Sequence, residues 1–228
     1  MSANLGVLYI VATPIGNLKD ISLRALDVLR DVSVIACEDT RHTLKLLTHY
    51  DIKKHLISVH ARNEKNACSK VLELLNEGKN VAYVSDAGTP AISDPGSILV
   101  NVARQEGFEV VAVPGCSAFV ALLSVSGCFG KSVLFEGFLS PKAGRRKKRL
   151  TELMSYDLAV ALYESPYRIV KLLKDIAEVD SDRYVVVGKE LTKLHEKVVA
   201  GKVSEVLETF SLMENIKGEF SLLIFAKA

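Results

Sequence analysis

The chain has 228 residues, a formal net charge of +2, and 49% hydrophobic against 25% charged residues, which is ordinary for a globular protein of one large or two small domains. Its four cysteines form no CxxC pair and have no histidine at ligand spacing, so we expect reduced thiols and neither a disulfide framework nor a metal site. No basic leader precedes the first apolar segment, and no apolar run approaches the roughly 20 residues that span a bilayer. We therefore expect a cytoplasmic protein without a membrane partner.

Short runs rich in valine and isoleucine alternate with amphipathic stretches through the first half of the chain. The amphipathic stretches carry apolar residues three and four positions apart, as in Leu23, Leu26 and Leu29, and this spacing predicts helices with one buried face. The valine-rich runs are apolar almost throughout, which is typical of parallel strands covered on both faces. Gly78 and Gly107 follow two of the helices where C-terminal caps belong. In chain order the predicted strands and helices are VLYIVAT, LRALDVLRDV, VSVIACED, TLKLLTHY, HLISVH, ACSKVLELLNEG, NVAYVSD, SILVNVARQEG and EVVAVPG.

The alternation restarts near residue 130, after the pause SGCFGK at residues 126–131. A break in periodicity that contains two glycines marks a candidate domain boundary. We therefore expect an N-terminal α/β domain over residues 1–128 and a C-terminal α/β domain over residues 129–228. The second half reads, in order, as VLFEGFL, a basic helix, LAVALYES, a further helix, DRYVVVGKEL and EFSLLIFAKA.

Residues 84–96, VSDAGTPAISDPG, are the most informative segment of the chain. Glycine and proline at positions 88, 90, 95 and 96 predict a rigid turn, because they release or fix φ at close spacing. The turn follows a predicted buried strand, and in open α/β sheets ligands bind at the carboxyl ends of the strands. A connection made of ordinary Asx turns is the alternative. The residues that the turn would offer to a ligand are Ser85, Asp86, Gly88, Thr89 and Ser93.

The polar residues at the predicted strand ends are carboxylates and hydroxyls. No glycine-rich phosphate motif, neither GxGxxG nor GxxxxGK[ST], follows a predicted strand. Acids and hydroxyls suit ribose hydroxyls, amines or a cation, and they repel phosphate. The pattern therefore favours an adenosine-type ligand without phosphates. These residues are Glu38, Asp39 and Thr40 after one strand, Ser85 and Asp86 after another, and Asp94 in the turn.

Six basic side chains and no acid occupy residues 142–149, KAGRRKKR, and they leave the rest of the chain with a net negative charge. A local basic site of this kind predicts phosphate binding, since counterion release from a polyanion favours association. Leu150, Leu153 and Met154 mark the buried stripe of a helix at the end of the run. A solvated charge run is the alternative. The expected RNA-binding residues are Lys142, Arg145, Arg146, Lys147, Lys148 and Arg149.

Six strings stand in order along essentially the whole chain: TPIGNLKDIS, CEDTRHT, VSDAGTPAISDPG, VPGCSA, YESPYR and KGEF. Together they resemble the tetrapyrrole methylase superfamily. The resemblance implies a homodimer of two-domain α/β chains, each with a parallel-rich N-terminal sheet, a smaller mixed C-terminal sheet, and S-adenosylmethionine in the cleft between the domains. The chain is similar to the branch whose members methylate a cytidine 2′-hydroxyl in the decoding region of 16S ribosomal RNA. The implied partner is 16S rRNA or the small ribosomal subunit.

The resemblance also implies which residues contact the cofactor. The superfamily's Gly-Asp-Pro turn reads Gly88, Thr89 and Pro90 here, so a threonine replaces the acid and Asp86 becomes the stronger candidate for ribose contact. For Ser117, an N-terminal helix cap is an equally good explanation. Carried onto this chain, the expected cofactor-binding residues are Pro14, Asp86, Gly88, Pro90, Ile92, Ser117, Ala118, Tyr163 and Phe220.

Methyl transfer from a sulfonium to a ribose hydroxyl is an in-line displacement, in which positioning should dominate. A general base within hydrogen-bond reach of the hydroxyl would help. Asp94 and Glu164 are the first candidates, because each stands at a strand-to-helix exit beside prolines. Each of them also fits a structural ion pair or a turn. The alternative bases are Glu38, Asp39, Lys189 and Glu190.

Three functions are compatible with these features. An RNA 2′-O-methyltransferase needs both the adenosine-type pocket and the basic run. A small-molecule (tetrapyrrole-type) or protein-modifying methylase would share the pocket and have no use for the run. A non-enzymatic ribosome-binding factor would keep the run and show no affinity for S-adenosylmethionine. Because both features are present, the sequence favours the first function.

Overall fold

The computed structural model describes residues 5–60, 63–128, 132–213 and 215–227. Contacts within the chain divide it into two units, Met1–Ser117 and Ala118–Ala228. The domain boundary expected between residues 128 and 129 stays a prediction, and residues 129–131 beside it lie outside the described residues. The helix Ala118–Val125 packs against strands of the second unit and is described with that unit.

The first unit is a parallel β-sheet with helices between its strands. Its elements are β1 (Leu8–Val11), a 3-10 turn (Leu18–Asp20), α1 (Leu23–Asp31), β2 (Val34–Cys37), α2 (Thr40–His49), β3 (His55–Ser58), α3 (Glu64–Asn76), β4 (Val81–Val84), α4 (Ser97–Gln105) and β5 (Val110–Val113). The strand order is β3-β2-β4-β1-β5, and all four pairs are parallel. The expectation of a parallel N-terminal sheet is confirmed. Because the strands run the same way, the loops after β1, β2, β4 and β5 leave from one edge of the sheet.

Helices cover both faces of this sheet, and each face has its own buried cluster. Leu8 and Tyr83 lie in a cluster with residues of α3 and α4. Val11 and Ala82 lie in a second cluster with residues of α1 and α2. Successive strand residues point to opposite faces, so a strand that is covered on both faces must be apolar at every position. This explains the unbroken apolar runs of the sequence.

Local signals set the ends of several helices. The Ser22 side chain accepts a hydrogen bond from the Ala25 N–H at 3.1 Å and caps α1. Gly78 follows α3 with φ of 76°, and Gly107 follows α4 with φ of 82°. A left-handed residue after the last helical turn is favoured as glycine, so the predicted C-terminal caps are confirmed.

The second unit is a mixed sheet, and a large buried cluster packs against it. Its elements are α5 (Ala118–Val125), β6 (Val133–Phe138), α6 (Ala143–Leu153), β7 (Ala159–Glu164), α7 (Ile169–Val179), β8 (Tyr184–Lys189), β9 (Lys197–Lys202), α8 (Val203–Ser211) and β10 (Phe220–Ile224). The strand order is β6-β7-β10-β8-β9. Strands β6 and β7 are parallel, and the other three pairs are antiparallel. The expected mixed C-terminal sheet is confirmed.

Helices α6 and α7 pack against each other. Helix α6 connects β6 to its parallel neighbour β7. Helix α7 connects β7 to β8, which is parallel to β7 because both strands are antiparallel to β10. Two crossovers that move in the same direction across a sheet place their helices on the same face, since such crossovers are right-handed. The two helices therefore run side by side in the same direction. In the parts of the chain that the structure describes, none of the helices is long and apolar enough to cross a membrane.

Candidate functional site

The loops after β1, β4 and β5 are joined by backbone hydrogen bonds at the carboxyl edge of the first sheet. The Thr13 N–H donates to the Gly88 carbonyl at 2.9 Å, and the Gly88 N–H donates to the Thr13 carbonyl at 3.0 Å. The Thr89 hydroxyl donates to the Cys116 carbonyl at 2.9 Å. The two-way bridge forms because β1 and β4 are neighbours in the sheet. The three loops thus make one connected rim.

The segment after β4 is a turn of unusual backbone conformation. Gly88 and Gly96 have φ of 79° and 121°, and between them Ala91 and Ser93 also adopt left-handed conformations, with φ of 66° and 64°. A Cβ atom on Gly96 would lie 2.5 Å from the ring of Tyr83, so only glycine fits there. Left-handed residues other than glycine persist when their surroundings hold them in place. The structure therefore shows the turn that the sequence predicts, with its left-handed residues at positions 88, 91, 93 and 96.

Four carboxylates gather where β2 and β4 end. Burial, and next the charge of Asp86, raise the pKa of Asp94 to about 6, and a hydrogen bond from Ser85 opposes the shift. Burial, followed by the charges of Asp86, Asp94 and Asp39, raises the pKa of Glu38. Asp39 differs, because hydrogen bonds from Arg41 hold its pKa well below the usual range. The pKa of Asp94 is thus brought closer to neutral pH than that of an ordinary aspartate. No group of three metal-ligating side chains able to hold an ion occurs among the described residues.

Asp86 lies between two concave regions of the first unit. Its Oδ1 accepts a hydrogen bond from the Asp39 N–H at 3.1 Å, which ties the loop after β4 to the loop after β2. A cavity of about 260 Å³ on one side is bordered by Asp86 and Pro14 together with Lys45 of α2. A more open region of about 370 Å³ is bordered by Asp86, Glu38 and other acids and hydroxyls, together with Arg41 and His60. Two of the expected cofactor-binding residues, Pro14 and Asp86, therefore border the same cavity.

The sequence did not point to Lys45. It stands one helical turn after Arg41, inside α2, where motif spacing gives no signal. Its place at the cavity follows from the start of α2 directly after β2, which brings the helix beside the loops after β1 and β4. The Thr13 hydroxyl donates to the Ser85 carbonyl, and the Ser85 hydroxyl, besides its hydrogen bond to Asp94, lies 3.3 and 3.4 Å from the carbonyls of Ala87 and Gly88.

The remaining expected cofactor residues lie in different surroundings. Ile92 is 40% exposed in the turn after β4. Ser117 and Ala118 stand at the beginning of α5. In the second unit, the Tyr163 hydroxyl accepts a hydrogen bond from the Phe119 N–H at 3.0 Å. Phe220 is buried against Phe210, so its side chain belongs to the core.

Glu164, one of the two candidate bases, is a fully buried carboxylate at the end of β7. Its Oε1 accepts hydrogen bonds from the Ser165 N–H at 2.6 Å and from the Arg168 guanidinium at 2.7 Å. Its Oε2 is buried and has no hydrogen-bond partner among the described residues. Through Oε1, Glu164 therefore fixes the loop between β7 and α7 at Ser165 and Arg168. Of the two candidates, Asp94 is the partly exposed residue.

The basic run forms the first turns of α6 and divides into two groups. Arg146 is buried, and its Nε lies 2.6 Å from Asp175 Oδ2 of α7. Lys147 pairs with Glu178, and Arg149 makes a two-pronged pair with Glu136 at 2.7 and 2.8 Å. The exposed residues Lys142, Arg145 and Lys148 form no ion pair with any described residue.

The expectation that all six basic residues bind RNA stays a prediction, and the burial of Arg146 argues against including it. Arg146 precedes Leu150 by four residues and Leu153 by seven, so it stands on the apolar stripe of the helix. The same spacing in the sequence could have identified it as a buried residue. Because its guanidinium is enclosed and paired, we leave Arg146 out of the proposed RNA surface.

Comparisons with known proteins give a consistent result. The family model described as Tetrapyrrole (Corrin/Porphyrin) Methylases matches residues 7–207. The ribosomal RNA small subunit methyltransferase I of Borrelia garinii subsp. bavariensis is 48% identical over 96% of this chain and 98% of its own length. The protein of the same name from Thermotoga maritima is 46% identical over 98% of this chain and 100% of its own.

Solved structures share the fold at low sequence identity. Cobalt precorrin-4 methyltransferase superposes with a TM-score of 0.71 at 20% identity, covering 96% of this chain and 94% of that one. Diphthine synthase superposes with a TM-score of 0.71 at 16% identity, covering 98% of this chain and 91% of that one. The names of these two proteins describe different substrates, so the shared fold by itself does not identify a substrate.

Proposed function

Because the chain belongs to the tetrapyrrole (corrin/porphyrin) methylase family, we propose that it uses S-adenosylmethionine to methylate the 2′-hydroxyl of a cytidine in the decoding region of 16S ribosomal RNA. The observation that carries the proposal is its 46–48% identity, over nearly the whole chain, to proteins named as methyltransferases of small-subunit ribosomal RNA. The proposal includes a homodimer in the cytoplasm. Light scattering on the purified protein tests the dimer.

The residues at the carboxyl edge of the first sheet fit the methyl donor. Asp86 offers, at the border of the cavity, a carboxylate that accepts hydrogen bonds from ribose hydroxyls or an amine. No glycine-rich phosphate loop is present, and the donor has no phosphate to bind. When bound, S-adenosylmethionine supplies an electrophilic methyl group on its sulfonium. We propose that Pro14, Asp86, Gly88 and Pro90 hold it, with Ile92, Ser117, Ala118, Tyr163 and the backbone at Phe220 as further contacts.

Asp94 is the proposed general base. A ribose 2′-hydroxyl is a poor nucleophile until its proton leaves, and a base works best when its pKa lies near the operating pH. Burial and the Asp86 charge bring the pKa of Asp94 to about 6, so this carboxylate is mostly ionised at neutral pH and still basic. Glu164 is assigned to positioning Arg168 and the loop after β7 instead.

The exposed cations of α6 support an RNA substrate. Lys142, Arg145 and Lys148 are three residues apart, so they follow one exposed side of the helix without forming ion pairs to described residues. Free cations that approach phosphates release condensed counterions, which makes binding favourable and dependent on salt. A methylase for small molecules or proteins has no need of such a surface. A binding factor without activity would have no need of the pocket at Asp86.

The test is to incubate the protein and S-adenosylmethionine with small ribosomal subunits that lack the modification, and to map 2′-O-methyl groups by mass spectrometry. We expect one new mark on a cytidine of the decoding region. The matched control is the Asp86→Asn variant, which should give no mark while still binding the subunit. Subunit binding without any mark by the wild-type protein would contradict the enzymatic assignment, and methylation of a small molecule instead would contradict the RNA substrate.

A further inference from the structure

The two most exposed large hydrophobic side chains among the described residues lie at one edge of the second sheet. Tyr167 follows β7 and is 88% exposed, and Leu194 follows β8 and is 92% exposed. Strands β7 and β8 are parallel, because both are antiparallel to β10, so their carboxyl ends reach the same edge. Since β10 lies between them, the two strand ends are about 10 Å apart. Both side chains are therefore available to one partner at this edge.

Tyr167 stands on a loop that buried contacts hold in place. The guanidinium of the next residue, Arg168, lies 2.7 Å from Oε1 of the enclosed Glu164. The same guanidinium donates to the Leu139 carbonyl at 3.5 Å, in the loop after β6. The backbone at Tyr167 is thus fixed while its ring is exposed. A ring held in this way is preorganised for a partner, because less conformational freedom is lost on binding.

The loop that carries Leu194 is fixed by a different set of contacts. Glu190 and Thr192 adopt left-handed conformations, with φ of 52° and 67°. Glu190 Oε1 accepts hydrogen bonds from Lys193 Nζ at 2.9 Å and from the Glu219 N–H at 2.8 Å. Residues other than glycine keep such conformations where surrounding contacts hold them. The loop therefore presents Leu194 to solvent in a defined position.

Exposed cations stand at the same edge as the two side chains. The acids Glu190 and Glu219 both pair with Lys193, and Glu196 accepts a hydrogen bond from the Thr192 N–H. The lysines here that are exposed and form no ion pair with any described residue are Lys142 before α6, Lys217 before β10 and Lys197 at the start of β9. Rings and apolar side chains set among such cations fit single-stranded RNA, because its bases stack on rings while its phosphates approach the cations.

We propose that this edge binds unpaired bases of the RNA substrate, with Tyr167 stacking on one base and Leu194 packing against a neighbouring one. The inference rests on the proposed function, since it adds a base-contacting surface to the same enzyme. Stacking on a ring tolerates every base, so the surface holds the strand and leaves the choice of nucleotide to other residues. A strand held at two bases moves less, which serves the positioning on which methyl transfer depends.

The test measures binding of full-length variants to small ribosomal subunits that lack the modification, between about 0.1 and 1 M salt. Tyr167→Ala should bind at least about fivefold more weakly, and Tyr167→Phe, which keeps the ring, should bind as the wild type does. Leu194→Ala should weaken binding roughly threefold or more, because apolar contact area is lost. Both alanine variants should keep the wild-type Tm, since both side chains are exposed.

The dependence on salt distinguishes stacking from charge. Stacking releases no counterions, so Tyr167→Ala should keep the wild-type slope of log K against log salt, whereas Lys142→Ala should reduce the slope by about 0.7. The matched control is Tyr184→Ala, which removes a tyrosine that is 44% exposed at the opposite end of β8. This control should bind as the wild type does.

The outcomes separate this inference from the proposed function. If Tyr167→Ala and Leu194→Ala bind like Tyr184→Ala while Lys142→Ala loses affinity, the inference is wrong and the proposed function stands. A changed salt slope in Tyr167→Ala, or weak binding by Tyr167→Phe, would also overturn it, because neither comes from stacking. If light scattering shows that Tyr167→Ala/Leu194→Ala separates a dimer into monomers, the edge is an interface between two copies and the inference fails. If the wild-type protein neither binds nor methylates the subunit, the proposed function fails and the inference fails with it.

Discussion

Arg145 and Arg146 are adjacent in the basic run and are expected to respond in opposite ways to substitution. The Arg146 and Asp175 side chains are 6% and 7% exposed, and Nε lies 2.6 Å from Oδ2. Removing one partner of a buried pair costs about 3–5 kcal/mol, because the remaining charge stays buried without compensation. In Arg146→Ala, Lys147 Nζ remains 3.6 Å from Asp175 Oδ1 and supplies partial compensation. We therefore expect the lower end, about 3 kcal/mol.

Arg145→Ala is the matched control, because Arg145 is exposed and unpaired among the described residues. It should change the free energy of unfolding by less than about 0.5 kcal/mol. Its effect should appear in binding instead, as a loss of about fivefold in subunit affinity at 0.1 M salt, which is the value for one phosphate contact. Urea denaturation and salt-dependent binding of both variants provide the comparison. In thermal unfolding, Arg146→Ala should lower Tm by roughly 6–12 °C.

A second variant separates charge burial from packing. Arg146→Met/Asp175→Leu replaces the pair with apolar side chains, and it should recover most of the lost stability, since buried pairs are often replaceable in this way. The reasoning would be refuted if Arg146→Ala unfolded within 1 kcal/mol of the wild type. It would equally be refuted if Arg145→Ala lost as much stability as Arg146→Ala.

Four further predictions concern the first unit. The kcat of the wild-type enzyme should rise through pH of about 6, and Asp94→Asn should lack this limb. Because the pKa of Asp94 is raised, between about pH 4 and 6 the folded protein keeps a proton that the unfolded chain has released. The free energy of unfolding of the wild type should therefore decrease, relative to that of Asp94→Asn, as the pH rises from about 4 to 6 in urea titrations; parallel curves would disprove this. Gly96→Ala, whose Cβ meets Tyr83, should lower Tm more than Gly107→Ala, which meets open space; equal losses would count against the clash. Asp86→Asn should weaken S-adenosylmethionine binding at least tenfold in calorimetric titration with subunit affinity kept, and unaltered titration would remove Asp86 from the site.

The sequence predicts the architecture well because the signals for it are local. Strand segments that are apolar at every position indicate a sheet covered on both faces. Gly78 and Gly107 mark the ends of two helices because each adopts a left-handed conformation. The basic run shows where composition misleads. A count of charges places Arg146 in one group with its neighbours, whereas its helical spacing to Leu150 places it in the core. Its partner Asp175 is 29 residues away in the sequence.

The chemistry of the candidate site depends on distant parts of the chain and is therefore harder to predict. The shift at Asp94 requires burial and the nearby Asp86 charge, and neither can be read from the turn alone. Glu164 has a local partner in Arg168 four residues on, but its complete enclosure at the end of β7 is a property of the folded sheet. The strand exits beside prolines point to both acids, and only the packing shows that Glu164 is enclosed and paired whereas Asp94 is partly exposed.

The two-way hydrogen bond between Thr13 and Gly88 has a thermodynamic consequence for ligand binding. It fixes the rim of the pocket when the protein folds, so a ligand that arrives there does not have to order the loops itself. The conformational entropy of those loops is lost during folding, so ligand binding does not have to overcome the same loss again. The amide hydrogens of Thr13 and Gly88 should accordingly exchange slowly with solvent whether or not the methyl donor is bound.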